Sequence, residues 1–195
     1  MDKQIHYEFF HWGPLLYKTK LNKEEIQEIK SLCKKNKKKD CRETLVGLIE
    51  NEYLIDSKLL FKVICPYLQS YSQVYLNYTG SALGGKITLI ESWVNYMTKF
   101  ESNPIHNHAE DLSFVIFTDV PKNLEQERKN TISKNKPGDL HFILRLADHK
   151  LEQNAHTFKP EVGDFFIFPA SLNHWVNHFK SDGERISVSG NIKVE

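Results

Sequence analysis

The sequence predicts a mainly β protein of the α+β class, with helices first and then six or more mostly antiparallel strands closing into a sandwich or barrel-like jelly roll. Three observations carry this. Helical periodicities fall within residues 20–80. From Lys86 onward, apolar and polar residues alternate with a period of two or gather in short Phe/Val/Ile runs. Turn residues separate those runs: Asn103-Pro104, Pro160 with Gly163, and Ser181-Asp182-Gly183. There is no internal repeat, and no GxGxxG or Walker pattern that would point to a nucleotide fold.

At 195 residues the chain is expected to be one domain, 1–195, with helical support over 20–80 and a β core over 86–192. A formal net charge of +1 gives no bulk attraction to nucleic acid or to an anionic membrane. Three cysteines, Cys33, Cys41 and Cys65, are an odd number without a CxxC pair, which argues against structural disulfides and fits a reducing, cytoplasmic setting. The start, MDKQIHYEFFHWG, lacks the basic-then-apolar pattern of a signal peptide. No apolar run approaches the roughly 18 residues that cross a bilayer.

Residues 5–19 read as an N-terminal strand holding Leu15, Leu16 and Tyr17. Asn22 with Glu25 three residues on is an N-cap pattern, after which Ile26, Ile29, Leu32 and Cys33 share a helical face. The run Lys34 to Lys39 reads as a solvated helix end, because it lacks the interleaved aromatics of a nucleic-acid surface. Leu45 to Ile55 fits a loop or a short helix. Leu60, Val63, Ile64, Tyr67, Leu68 and Tyr71 follow helical spacing. Pro66 interrupts them, so the helix is expected to start or kink there.

Residues 87–94 alternate as a strand, and 112–120, 140–146 and 164–168 are β-runs. Residues 121–137 are polar without periodicity and read as a surface excursion, and 149–159 as a polar stretch. The last part, Phe168 to Asn191, reads as two extended pieces joined by a turn at 180–183.

That last stretch carries chemistry. Arg185, Ser187 and Ser189 alternate with Ile186 and Val188, so the three polar side chains share one face. Lining a cavity, a guanidinium and a hydroxyl two residues apart make a carboxylate receptor, because the planar fork of Arg bonds a carboxylate bidentately. His174 lies eleven positions before Arg185. His106 and His108 are two apart, so in extended chain both point the same way. Two close imidazoles and one distant one can form a facial set on one metal that leaves positions open, as in non-haem Fe(II) oxygenases. His178 reads as a solvent-side neighbour. His6, His11, His141, His149 and His156 have no partners at ligand spacing. Trp93 and Trp175 read as core or rim packing.

Several motifs come together in one order: Trp93-Val94-Asn95, His106-Asn107-His108, Ser113 in LSFVIF, Pro160-Glu161-Val162-Gly163-Asp164, Phe168-Pro169, His174 and Arg185-Ile186-Ser187. In this the chain resembles the 2-oxoglutarate- and Fe(II)-dependent oxygenase superfamily, above all its small members from bacteria and tailed phages. The match covers about residues 86–192. Trp12-Gly13-Pro14 also looks familial.

The resemblance implies a cupin-like double-stranded β-helix (jelly roll) with the N-terminal helices packed on one sheet. It implies a dioxygenase using Fe(II), O2 and 2-oxoglutarate as cosubstrate. Decarboxylation of 2-oxoglutarate to succinate and CO2 would be coupled to hydroxylation of a substrate. It also implies a cytoplasmic enzyme, in the host cytoplasm if phage-encoded. The metal ligands implied are His106, His108 and His174, and the cosubstrate-binding residues Arg185 and Ser187, joined by Asn95 and Ser113 if these face the same cavity.

One departure from the family pattern matters. The superfamily's near pair is usually His-x-Asp or His-x-Glu, whereas here a second His stands in the carboxylate position. A shifted registry, His108-Ala109-Glu110, would restore a carboxylate through Glu110, and Asp111 is a third candidate. The rivals are a cupin-like metal or small-acid binding module without turnover, and a cupin metalloenzyme without 2-oxoglutarate. A cupin enzyme without the cosubstrate has no need of Arg185-x-Ser187. The primary substrate is left open among protein side chain, nucleobase and small metabolite, and so is the oligomeric state. Nucleic acid and membrane are not indicated.

Overall fold

The computed structural model of the protein describes residues 13–35, 39–145 and 153–195. Trp12, His6, His11, His149 and the centre of the lysine run lie outside the described residues.

Among the described residues, ten strands and three α-helices follow one another as β1 (Tyr17–Lys20), α1 (Lys23–Lys35), β2 (Glu52–Leu54), α2 (Ser57–Thr79), β3 (Ile87–Met97), β4 (Asn103–His106), β5 (Leu112–Asp119), α3 (Leu124–Asn130), β6 (Leu140–Ile143), β7 (Ala155–Phe158), β8 (Asp164–Pro169), β9 (Asn173–Val176) and β10 (Arg185–Val194). They form a six-stranded sheet in the order β1-β8-β5-β10-β3-β2 and a four-stranded sheet in the order β4-β9-β6-β7. Every pairing is antiparallel.

Strand alternation divides the interior in two. One face of the large sheet contributes Val94, Phe114, Ile116, Phe165, Ile167 and Val188 to a core shared with Ile26, Ile29, Leu60, Val63 and Ile64 of the helices. The other face contributes Met97, Val115, Phe117, Phe166 and Phe168 to a core shared with Leu140, Phe142 and Val176 of the small sheet. Successive residues of one strand thus serve opposite layers.

The first helix begins as its cap pattern predicts. Asn22 Oδ1 accepts from the Glu25 amide at 2.9 Å, and Glu25 Oε2 accepts from the Asn22 amide at 2.9 Å, a reciprocal capping box. In α2, Asp56 accepts from the amides of Lys58 and Leu59, and Gly80 closes the helix with a φ of 73°.

Several local expectations change. The second helix does not start at Pro66: it runs from Ser57 to Thr79 with Pro66 inside. Loss of one backbone bond is tolerated because Leu60, Val63, Ile64, Leu68 and Tyr71 bury a continuous apolar stripe on either side of it. Residues 45–55, read as loop or short helix, contain β2, with a single 3-10 turn at Arg42–Thr44 before it. Residues 121–137 contain α3, whose one buried residue, Leu124, is too little apolar signal to show as a period. β1 starts only at Tyr17, after Leu15 and Leu16. β6 stops at Ile143, and β7 lies in the stretch read only as polar.

Gly190 sits in the middle of β10, paired with both β3 and β5. A Cβ there would lie 2.6 Å from the Glu91 carbonyl oxygen and 2.7 Å from the Phe114 ring. The oxygen belongs to a paired strand and cannot retreat. Gly190→Ala is therefore expected to destabilise the fold by about 2–3 kcal/mol in urea unfolding. A loss below about 0.5 kcal/mol, the range of a neutral surface change, would contradict this packing.

Candidate active site

β10 lies between β3 and β5, and its alternation turns Arg185, Ser187 and Ser189 toward the small sheet. Ser187 pairs with Asn95 of β3, and Asn191 pairs with Ser113 of β5. On the opposing sheet, His174 of β9 pairs with His106 of β4. The register slips between Asn103 and His106, where β4 spends one more residue than β9. Such a bulge suits an edge strand holding Pro104, which has no amide to donate, and it re-aims the side chain that follows.

The result is a cluster. His106, His108 and His174 place one ring nitrogen each within 4.8 Å of one another. Their ring centroids are 5.1, 4.2 and 5.3 Å apart for the pairs 106–108, 106–174 and 108–174. Among the described residues this is the one group of three or more metal-ligating side chains. Glu110 is not a member of it. Asp111 is turned elsewhere: its Oδ2 accepts from the Val194 amide at 2.8 Å and pairs with Lys193 at 3.3 Å.

The protonation pattern suits a metal. His106 Nδ1 lies 2.7 Å from the Pro104 carbonyl oxygen and His174 Nδ1 lies 2.9 Å from that of Leu172. A carbonyl oxygen only accepts, so both Nδ1 atoms carry hydrogen and both Nε2 atoms keep a free lone pair. Burial lowers all three pKa values, and neighbouring imidazoles add to the effect at His108, which falls to about 4, and at His174, which falls to about 3. The rings are therefore neutral at pH 7, the form that ligates a metal.

At the other end of the same cavity is Arg185, 2 % exposed. Its guanidinium donates to the Gly138 carbonyl oxygen at 3.3 Å and lies 5.1 Å from the centre of the Phe117 ring. Its Nε has no partner, and no carboxylate acts on it. Burial lowers its pKa to about 9, so it remains cationic at neutral pH. A buried charge without a counter-ion costs several kcal/mol, a cost that an incoming anion would remove. The nearby Asp139 is already held by Arg128 and the Lys136 amide.

Asn95, Ser113, Ser187 and Ser189 line the cavity between the two ends. Asn95 Oδ1 is buried without a donor. Ser113 Oγ donates to Asn191 Oδ1 at 2.8 Å, and Asn191 Nδ2 donates to Glu91 Oε1 at 3.0 Å. Asn191 is one residue the sequence reading missed, although the alternation from Arg185 through Ser189 reaches it two positions later. Asn103, with a buried unpartnered Oδ1 on the same wall, carried no such signal. Trp93 is buried beside His108, ring centroids 5.8 Å apart.

The remaining histidines stand apart. His141 bonds Thr157 and Asn177 and stacks on Trp175 at 4.5 Å, and His178 is exposed. All three cysteines are free. Among the described residues no helix is long and apolar enough to cross a membrane.

Three neutral imidazoles facing a lone buried guanidinium across a small cavity suit a metal and an organic acid. A family model described as "Putative 2OG-Fe(II) oxygenase" matches residues 91–191, which span both ends of this cavity. The chain belongs to the 2OG-Fe(II) oxygenase family. It is a 2-oxoglutarate-dependent dioxygenase, an oxidoreductase, with Fe(II) as its metal and 2-oxoglutarate as cosubstrate. Of the readings the sequence left open, membership selects the oxygenase over the cupin alternatives.

Solved structures of other oxygenases share the fold. A 2OG-Fe(II) oxygenase family oxidoreductase from Burkholderia pseudomallei aligns with a TM-score of 0.58 at 12 % identity, covering 93 % of this chain and 85 % of that one. A prolyl-4-hydroxylase from Pseudomonas putida aligns with a TM-score of 0.57 at 15 % identity over 92 % of each chain. The viral collagen prolyl hydroxylase of Paramecium bursaria Chlorella virus-1 gives 0.54 at 15 % identity over 92 % of this chain and 96 % of that one. No curated protein matches the sequence.

The lowered histidine pKa values predict an acid sensitivity. Above pH 6.5, the ordinary value, these imidazoles are neutral in both states. Below it the unfolded chain takes protons that His108 and His174 refuse until about pH 4 and 3. Metal-free protein should therefore lose stability as pH falls from 6.5 toward 4, by on the order of 1 kcal/mol per histidine per pH unit. Urea midpoints at pH 7 and pH 5 measure this, and His174→Asn should shrink the difference. An equal difference in the variant would contradict the account of His174.

Proposed function

We propose that the protein is a hydroxylase in which His106, His108 and His174 hold Fe(II), and Arg185 with Ser187 holds the far carboxylate of 2-oxoglutarate. The observation that supports this best is the buried guanidinium without a counter-ion, in one cavity with three imidazoles that present free lone pairs. Bound iron and 2-oxoglutarate supply the oxidising chemistry: one O2 and one 2-oxoglutarate yield succinate, CO2 and a substrate carrying a new hydroxyl group.

The residues of the chain do the rest. Arg185 and Ser187 fix the distance between the far carboxylate and the metal, which sets the keto-acid end against the imidazoles. Asn95 offers an acceptor oxygen to the cosubstrate or to water. Ser113, whose hydrogen is spent on Asn191, keeps its oxygen lone pairs for the same purpose. Phe168 and Phe142 pack against His174, with ring centroids 4.9 and 6.0 Å away, and keep that side dry. The cavity is narrow, about 40 Å3.

Three His ligands leave the charge of the metal uncompensated by the protein. A dianionic cosubstrate then supplies the balance, which ties metal and cosubstrate binding together. The whole chain acts as one domain in this reading, with residues 20–80 as a buttress for the large sheet and the working parts in 86–192.

Arg185→Ala should weaken 2-oxoglutarate binding by roughly 2–5 kcal/mol, more than about 30-fold, while Mn(II) affinity changes little. Anaerobic titration of Mn(II) and of 2-oxoglutarate measures both, and succinate release with Fe(II), ascorbate and 2-oxoglutarate reports turnover. Parallel loss of metal and cosubstrate binding would mean that Arg185 has another task. Absence of both 2-oxoglutarate binding and succinate in the unaltered protein would remove the reading altogether.

A further inference from the structure

A second hollow, of about 140 Å3, shares Trp93, Asn103, His106 and His108 with the first cavity and adds Glu52 and Glu91 beneath the loop 44–47. Glu52 pairs across strands with Asn95, so it occupies the same inner face of the large sheet as Asn95, Trp93 and Glu91. It is 1 % exposed, and its Oε2 has no hydrogen-bond partner. The Asn103 oxygen on the shared wall is likewise buried without a donor.

What surrounds Glu52 makes its ionised form costly unless a cation partners it. Burial first, then the nearby carboxylates of Glu101 and Asp40, push its pKa up to about 7. The nearby cation, Arg42, is already engaged by Asp40 through a bidentate pair. The loop above closes tightly: a Cβ at Gly47 would lie 2.7 Å from Glu52 Oε1. The hollow is thus an acceptor-rich pocket beside two of the three clustered histidines. An ammonium or guanidinium carries only donors, and a buried indole face adds attraction for such a cation.

We propose that this hollow is the primary-substrate pocket and that it selects a cationic group, an alkylammonium or a guanidinium, through Glu52 with Trp93 and Asn103. The inference rests on the functional reading above for the role of the pocket, but the charge selection stands on Glu52 alone.

The test uses small probes of one shape and different charge: n-butylammonium, n-butylguanidinium and neutral 1-butanol. Calorimetry on the metal-free protein, and on protein loaded anaerobically with Mn(II) and 2-oxoglutarate, should show one or both cations binding about tenfold or more tightly than the alcohol. Which cation binds more tightly separates the two chemistries. Glu52→Gln should reduce the preference to near unity. In the loaded protein, Mn(II) should broaden the proton signals of the bound cation, since the pocket shares His106 and His108.

Equal affinity for alcohol and cations in the unaltered protein would overturn the proposal. So would a charge preference that survives Glu52→Gln. If that variant does not fold, the charged-against-neutral comparison in the unaltered protein decides alone. If Mn(II) or 2-oxoglutarate fails to bind while the metal-free protein still prefers cations, the oxygenase reading of the site fails and the charge selection stands.

Discussion

The pairing of β10 with both β3 and β5 is the constraint on which the rest depends. It is the central ladder of the large sheet, and its alternation does two things at once. Val188 and Ile192 join the core under the helices, while Arg185, Ser187 and Ser189 face the small sheet. A slip of one residue would bury the wrong set and send the guanidinium among aliphatic side chains. Gly190 enforces the register, since the backbone of β3 and the ring of Phe114 come too close there for any side chain.

The small sheet answers with a different device. β4 is an edge strand interrupted by a bulge at Pro104, and that irregularity places His106 opposite His174. The backbone carbonyls of Pro104 and Leu172 then fix the tautomers of the two rings. His108 is anchored by its own amide, which donates to the Ala170 carbonyl oxygen at 2.9 Å in the turn before β9. Two regular strand faces and one irregular edge thus create a polar cavity inside an aromatic-rich interior. Its unsatisfied groups differ in sign from place to place. The guanidinium at one end asks for an anion, and the carboxylate under the loop 44–47 asks for a cation. A protein that leaves such groups buried and unpaired carries a standing electrostatic cost, which bound ligands offset.

Period-two patterning showed β10, while apolar burial on both faces of β5 and β8 showed itself as near-continuous runs such as LSFVIF and DFFIF. The capping box of α1 was equally plain, since its two hydrogen bonds join residues three apart. Harder to see were elements whose stability comes from elsewhere. α3 buries one leucine, β2 is three residues long, and α2 runs through a proline because its apolar stripe is held by the sheet. In the cavity, the His-x-His pair, His174, and the alternation of Arg185 and Ser187 were legible as residue types at fixed spacing. The same alternation would have reached Asn191 had it been followed two residues further.

What the sequence determined by itself was local: the periods, the caps, and the presence of imidazoles, guanidinium and hydroxyls on definable strand faces. Only the tertiary structure decided between Glu110 and His106 as companion to His108 in the cluster, because a bulge in one strand and its register against another set which side chains meet. It alone gave Glu52 a meaning. That carboxylate lies in a segment with no periodic signal, and its burial without a partner arises from a cross-strand neighbour and a covering loop, both beyond the reach of local spacing.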